Sequence, residues 1–455
     1  MTIKLLFINA VDTTRAIQTL LPPLGLGYLA SSLRENFPED KLQFKIINKD
    51  VREEIEKFKP DIAAISSVSQ NYQRAVEYAK IAKEYQLPVI IGGIHITVMP
   101  STLTKEMDVA VIGEGEETIV ELFRLYKQKR KFIKKDLKKI KGIAFKERNR
   151  LVLTPRRELI EPLNKVPLPA RDLITIGNPT YMFTSRGCPY RCTFCASSRF
   201  WGRVRFFSAE YMVKEIKYLV ENYGIDRIDF WDDLFIAHRR RLNDLLPLLK
   251  KEKLLGKVSF GCMVRSNLVD EGLAKVLKKM NFTRTSMGLE SASPRILEYL
   301  KGETINVKNH VNAIRILKKH GIEPSASFII GSPTETRADI LQTLKFIRKS
   351  RLRGFDIYVL TPLPGTPVWE YAKSRGLVSE KMDWSRLDVD FYQNHDRAII
   401  LSEELSRGEI YRLFLRFKLE QKRRLIIYVL KNMPKIANYW FKRGQEKIPS
   451  RTPRV

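Results

Sequence analysis

Three of the four cysteines in this 455-residue chain, Cys188, Cys192 and Cys195, fall in one eight-residue window at C-x3-C-x2-C spacing. Random placement would do this on the order of once in a thousand chains, so the clustering asks for a chemical cause. Three thiolates this close on a loop can hold a soft metal centre, and cysteine thiolates are the ligands of iron–sulfur clusters. Three ligands on a cubane leave one iron open to bind something else. A structural zinc site would need a fourth Cys or His to close its tetrahedron, and none lies nearby. A loop of free thiols is the other bland reading. Cys262 is distant and has no partner at metal-ligand spacing.

The run Arg186-Gly187-Cys188-Pro189-Tyr190-Arg191-Cys192-Thr193-Phe194-Cys195 resembles the signature of the radical S-adenosylmethionine (SAM) superfamily. The resemblance implies a [4Fe–4S] cluster on Cys188, Cys192 and Cys195 whose fourth iron chelates the amino and carboxylate groups of SAM. One electron then splits SAM into methionine and a 5′-deoxyadenosyl radical, which abstracts hydrogen from an unactivated carbon. Phe194 matches the family's aromatic before the third cysteine. No catalytic side chain is assigned, and the motif does not name a substrate.

The elements that must position this loop read as α/β throughout. In residues 1–125 short apolar runs (4–10, 45–50, 61–68, 88–93, 109–115) alternate with helical stretches near 26–36, 71–86 and 116–126. That spacing predicts a doubly wound parallel sheet, with ligands beyond the carboxyl ends of the strands. Those ends carry Gly25, Ser66, Gly92, Gly93, His95, Gly113, Glu114 and Gly115. No G-x-G-x-x-G follows the first strand, which disfavours a nicotinamide-binding fold. Together, PPLGLGYLASSL, GGIHITVMP and VIGEGEETIVEL resemble the cobalamin-binding domain that precedes many radical SAM cores, as in anaerobic magnesium-protoporphyrin cyclases and hopanoid methylases. By that resemblance these eight residues line a corrin. The D-x-H-x-x-G motif that supplies a lower axial histidine in B12 mutases is absent, so His95 is expected beside the corrin and not on cobalt. The alternatives are a loop histidine that caps backbone groups and a degenerate sheet that binds no corrin.

Residues 127–157 hold fourteen Lys or Arg against Asp136 and Glu147. They read as a solvated basic face with a hairpin at 142–154, followed by a Pro-stiffened linker at 162–174. From 181 onward six strand signals (181–187, 225–233, 258–265, 284–291, 324–332, 355–363) alternate with helices, among them 209–223, 268–280, 306–320 and 336–350. Six βα units predict a partial TIM-type barrel with its site at the carboxyl ends of the strands. W-D-D-L-F, G-L-E-S and F-I-I-G-S-P-T-E-T resemble barrel motifs of the cobalamin-type branch. The resemblance places Asp232, Asp233, Glu290, Ser291, Gly331 and Pro333 around SAM, with the Gly331–Pro333 turn against adenine, and Arg265 joins them as a polar residue at a strand's carboxyl end. Asp232 and Asp233 stand where the superfamily has glycines, and a buried salt bridge to an arginine such as Arg265 is their alternative role. The expected domains are a cobalamin-binding domain (1–126), a basic hairpin and linker (127–175), the barrel (176–375) and a helical C-terminal region (376–455). The loop 383–395 is expected over the barrel mouth.

A hydrophobic fraction of 44% and a charged fraction of 29% describe a soluble globular chain. No apolar run approaches the ~20 residues of a spanning helix. Few cysteines and a reduced-thiol motif point to the cytoplasm. The net charge of +30 first suggests nucleic acid, yet no zinc finger, RRM signature or helix-turn-helix motif is found. Residues 401–455 carry fourteen Lys or Arg against five Asp or Glu, interleaved with Tyr411, Phe414, Phe417, Tyr428, Tyr439, Trp440 and Phe441. Such a segment suits peripheral contact with the anionic inner face of a membrane and a lipid-like or other apolar substrate; a helical cap on the barrel is the alternative. The expected activity is cobalamin- and SAM-dependent methylation of an unactivated carbon, with flavodoxin or ferredoxin as electron donor. The rivals are a porphyrin-cyclase-like radical enzyme, a tRNA-modifying enzyme, and a cobalamin or iron–sulfur protein without catalysis.

Overall fold

The computed structural model describes residues 2–445, with the backbone alone at 16, 17 and 434–445. It divides into two units. The first gathers Met1–Gly177, Cys195–Phe207 and Pro362–Asp388, and the second Asn178–Phe194, Ser208–Thr361 and Val389–Val455.

The first unit is built on strands β1 (Ile3–Ala10), β2 (Leu42–Ile47), β3 (Ile62–Ser67), β4 (Val89–Gly92), β5 (Val109–Val111), β6 (Ile143–Glu147) and β7 (Arg150–Leu153). Their order is β2-β1-β3-β4-β5-β6-β7. The first five are parallel, and β6 and β7 extend the sheet as an antiparallel hairpin. The order reverses between β1 and β3, and a crevice for a ligand opens at such a switch point. Leu5, Phe7, Ile62, Ala64 and Val109 pack one face against Leu26, Leu33, Ile119 and Phe123 of the helices Leu24–Asn36 and Glu116–Lys129. Leu6, Ile8, Ala63 and Ile65 bury the other face, against the helices Val51–Phe58 and Tyr72–Glu84. A sheet covered on both sides needs apolar residues at every position, which is why KLLFIN and DIAAI are continuous runs.

Short strands β8 (Thr180–Met182), β9 (Ser185–Arg186) and β10 (Arg205–Phe206) bracket the cysteine loop in the chain. In the second unit β8 is followed by β11 (Arg227–Phe230), β12 (Ser259–Val264), β13 (Phe282–Glu290), β14 (Glu323–Ile330) and β15 (Phe355–Val359). These six form one parallel sheet in the order β15-β14-β13-β12-β11-β8, curled into an open half-barrel. Each strand lies beside the one before it in this series, with helices in the connections, as right-handed βα crossovers require. Phe230 stacks on Phe235 at 4.6 Å and on Phe260 at 5.2 Å, making an aromatic core beneath the helices. The last described helix, Arg407–Gln445, packs its first turns on β15 through Phe417 and Phe355.

Candidate functional site

The second unit builds its site where the barrel strands end. Asp232, just past β11, is buried, and its carboxylate accepts the backbone amides of Thr184 at 2.6 Å and Ser185 at 3.1 Å. Burial pushes this carboxyl up, and Arg241 at 3.8 Å and the Thr184 and Ser185 hydrogen bonds work against that. Its arginine partner is therefore Arg241 and not Arg265, and Asp232 shapes the segment that leads into the cysteines. Asp233 is exposed.

Arg265, at the end of β12, is buried within reach of the loop. Its guanidinium donates toward Cys192 Sγ at 3.6 Å, stacks over the Tyr190 ring at 3.8 Å, and bonds Lys301 O and Thr304 Oγ1 at 3.3 Å. Glu290 closes β13 with φ of +62°, a left-handed backbone that is costly for a residue with a side chain. The register slips between Gly288 and Glu290, and Lys301 Nζ holds the Glu290 carboxylate at 3.2 Å. Burial raises the Glu290 carboxyl and the lysine opposes it. Ser291 is buried beside Thr343 Oγ1 at 3.2 Å and accepts from the Ser293 amide. Gly331 turns with φ of +83°, its amide donating to Glu335 Oε2 at 2.6 Å, and Pro333 O accepts from the Glu403 amide at 2.7 Å. Burial pushes the Glu335 carboxyl up to about 7, against the Ser332 and Gly331 amides that favour its charge. Sequence reasoning missed Lys301, Arg241 and Glu335. Only Glu335 left a local trace, as the acid four residues after a strand-ending glycine.

Cys188, Cys192, Cys195 and Phe194 are all half-buried, and none of the cysteines is in a disulfide. Among the described residues no group of three His, Cys, Asp or Glu is already drawn together as a metal cage. The donor set nevertheless suits an iron–sulfur cluster: three free thiols on one short loop, with a guanidinium at one of them.

In the first unit, Ser66 and Gly92 pair across β3 and β4 at the carboxyl end of the sheet. Gly93 follows with φ of +99°, and a Cβ there would lie 2.9 Å from the Ser67 amide nitrogen, so only glycine fits. Gly113 has φ of +87° with open space around it, and its amide donates to Thr97 Oγ1 at 3.0 Å. Gly25 opens the helix Leu24–Asn36 and is likewise uncrowded, whereas Gly115 packs against Leu29. Two other expectations change. Glu114 is buried in an ion pair with Arg205 at 2.7 Å and accepts the Ile160 amide at 2.8 Å, so it holds the fold together instead of facing a ligand. His95 is fully buried, between Tyr72 at 3.9 Å and Trp384 at 4.5 Å. Its ring nitrogens lie 3.1 Å from Ser69 Oγ and 3.0 Å from Thr102 Oγ1, which leaves neither available to a corrin. Burial lowers its pKa to about 3, so it is a neutral packing residue. Trp384, expected in a loop over the barrel mouth, belongs to this first-unit cluster.

Residues 182–347 match the Radical SAM superfamily and residues 11–123 the B12 binding domain. An uncharacterized methyltransferase of Pyrococcus horikoshii is 36% identical over 388 residues, which cover 82% of this chain and 83% of that protein. The chain belongs to the radical SAM superfamily. This radical SAM enzyme carries its B12-binding domain ahead of the barrel. It is also 28% identical to the anaerobic magnesium-protoporphyrin IX monomethyl ester cyclase of Rubrivivax gelatinosus over 413 residues, 86% of this chain and 71% of the cyclase. Among solved structures it resembles in fold the radical SAM methyltransferase TsrM from Kitasatospora setae, with cobalamin and [4Fe–4S] cluster bound. That match has a TM-score of 0.68 at 18% identity, over 83% of this chain and 76% of TsrM.

Proposed function

We propose that this enzyme methylates an unactivated carbon of a small-molecule substrate. The observation that carries the reading is the union in one chain of a three-cysteine loop lacking a fourth ligand and a B12-binding sheet. When bound, the cluster and SAM supply the radical that opens a C–H bond, and cobalamin supplies a methyl group that the electrophilic sulfonium of SAM cannot give to a carbon radical. Cys188, Cys192 and Cys195 hold the cluster, and the Arg265 guanidinium draws negative charge toward Cys192. Glu290, fixed by Lys301, and Ser291 orient the polar end of SAM, and the Gly331–Pro333 turn lies along its adenine. Gly92, Gly93 and Gly113 let backbone approach the corrin, with Ser66 beside them. Asp232, Glu114 and His95 position the segments that do this without touching a cofactor. The net charge of +30 suits an acidic one-electron donor of the flavodoxin or ferredoxin kind.

Anaerobic reconstitution with SAM carrying a deuterated methyl group tests the reading, with mass spectrometry of the products. One labelled methyl per product is expected. A product altered without added carbon would mean a radical cyclase instead. Methylthiolation of tRNA would usually call for cysteines in the N-terminal domain, and residues 1–187 contain none.

A second reading concerns location. No described helix is long and apolar enough to cross a membrane. The helix Arg407–Gln445 buries Phe414 and Phe417, and Glu420 is gripped by Arg423 at 2.7 Å and Arg424 at 2.8 Å. Past that point Leu425, Ile426, Leu430 and Met433 are all exposed beside Lys422 and Lys431. Tyr439, Trp440 and Phe441 lie outside the described side chains. This exposed apolar stretch favours docking on an anionic membrane surface, and flotation with anionic vesicles tests it. The expectation of an apolar substrate came from the same tail. With Phe414 and Phe417 in the core, the tail bears on where the enzyme sits and not on what it acts on.

A further inference from the structure

The two faces of the barrel sheet differ in chemistry. Toward the helices it presents Phe230, Phe260, Phe282 and Phe328, all buried. Toward the concavity, residues of the opposite parity are mostly polar, with Met263 on β12 and Ile329 on β14 as apolar members of the same face. Its floor is an ion pair between Asp229 on β11 and Arg284 Nε on β13, at 2.8 Å. That pair spans β12 at Gly261, where any Cβ would collide with both side chains. Above the floor the register sets Met263, Ser286 and Ser325 in one row and Gly288, Ser327 and Asp356 in the next. Tyr358 stands one step higher than Asp356 on the same face of β15. Ser325 is committed, donating to Thr285 O at 3.2 Å. The side chains of Ser286, Ser327, Asp356 and Tyr358 make no hydrogen bond to any described residue; burial raises the Asp356 carboxyl, and the charge of Lys418 opposes it.

Three adjacent strands thus expose uncommitted hydroxyls and a carboxylate into one concavity. With water in the concavity these groups keep solvent as a hydrogen-bond partner. A hydrocarbon laid there would strip their water and return no partner, at roughly ten- to a hundredfold in affinity for each group. A site built to hydrogen-bond its substrate rejects the analogue that lacks the polar group.

We propose that the substrate is a polar molecule, not a lipid, bound through hydrogen bonds to Ser286, Ser327 and Tyr358 and presenting a hydroxyl or amino donor to Asp356. This rests on the reading of the chain as a radical SAM enzyme whose substrate enters the half-barrel. Reconstituted holoenzyme is given SAM and dithionite, then the water-soluble or the chloroform-soluble fraction of a cell extract, and 5′-deoxyadenosine is measured over the fraction-free rate. The aqueous fraction stimulates, and the labelled methyl appears in a product that partitions into water. The double variant Ser327→Val, Asp356→Asn loses at least ~90% of that stimulation, with iron and corrin content per chain unchanged. Ser286→Val and Ser327→Val singly leave the melting temperature the same or higher, because hydroxyls kept for a ligand contribute nothing to the sheet. Stimulation by the chloroform fraction alone or by neither fraction, an unimpaired double variant, or a melting temperature several degrees lower in the valine variants overturns the polar substrate. Absence of SAM cleavage in every condition overturns the radical SAM reading beneath it, and the two failures are told apart by the fraction-free rate.

Discussion

The first sheet is apolar on both faces, whereas the half-barrel sheet is apolar on one and lined with hydroxyls and charges on the other. Phe7 and Ile8, neighbours on β1, are both fully buried, while on β14 buried Ala326 and Phe328 alternate with half-exposed Ser325 and Ser327. A sandwiched sheet can offer a ligand only its strand ends, and there the first unit places glycines at Gly93 and Gly113. A half-barrel can offer strand ends and an inner wall. The same parallel architecture therefore leaves a ligand the strand ends in one unit and an open, largely polar inner wall in the other.

The sharpest way to break this comparison is at the loop beside the barrel. Replacing any of Cys188, Cys192 or Cys195 by Ala should abolish SAM cleavage and the cluster's visible absorption, while Cys262→Ala retains both. Cys262 is buried on the helix side of β12, where burial pushes its thiol up, beside Asp232 and Asp229. Loss of the cluster in Cys262→Ala with retention in Cys188→Ala would move the site into the wall.

Next in size is the contrast between the two sides of the barrel sheet. Phe230→Ala on the aromatic side should cost about 3–5 kcal/mol in urea unfolding. Comparable losses for Phe230 and for a lumen serine would mean that the inner wall is structural.

The buried histidines make a third test. The folded-state pKa of His95, about 3, lies below its ordinary 6.5, so the unfolded chain takes the proton first. Its contribution is intact above pH 6.5 and is lost as pH falls from there toward 3, by about 2 kcal/mol at pH 5. His310 in the second unit behaves alike, its pKa lowered to about 3 by burial. His95→Gln should remove the first unit's share of the drop between pH 7 and 5, and an unchanged pH slope would contradict the packing described for it. The smallest effect belongs to Ser327→Ala, which should change unfolding free energy by no more than about 0.5 kcal/mol.

Much of this was legible in the chain. Continuous apolar runs marked the strands covered on both faces, and the helices 209–223 and 337–349 followed their periodicity almost to the residue. The serines of RTSMGLES and PSASFIIGS carry the alternation of a half-exposed wall, but short polar alternation on its own does not say which face meets a concavity. Long-range pairings were less accessible. Glu114 meets Arg205 from 91 residues away, and Arg241 sits in the run His-Arg-Arg-Arg, which looks like surface until Asp232 is seen beside it. His95 next to two strand-end glycines has the look of a ligand contact, and only the rings of Tyr72 and Trp384 show that it is enclosed.

Trp384 has a consequence for how the protein is made. The first unit is completed by Pro362–Asp388, which sets Trp384 edge-on against His95 and stacks it on Trp369 at 5.8 Å. A ribosome that has finished residue 177 has therefore not finished this unit, and with synthesis at ~5–20 residues per second the missing piece arrives about 10–40 s later. Through that interval Tyr72 and His95 have no aromatic lid, and the whole of the barrel sheet emerges before the older unit can close. The nascent chain thus holds an unfinished apolar surface for as long as its barrel sheet is being made, which gives chaperones a defined window in which to act.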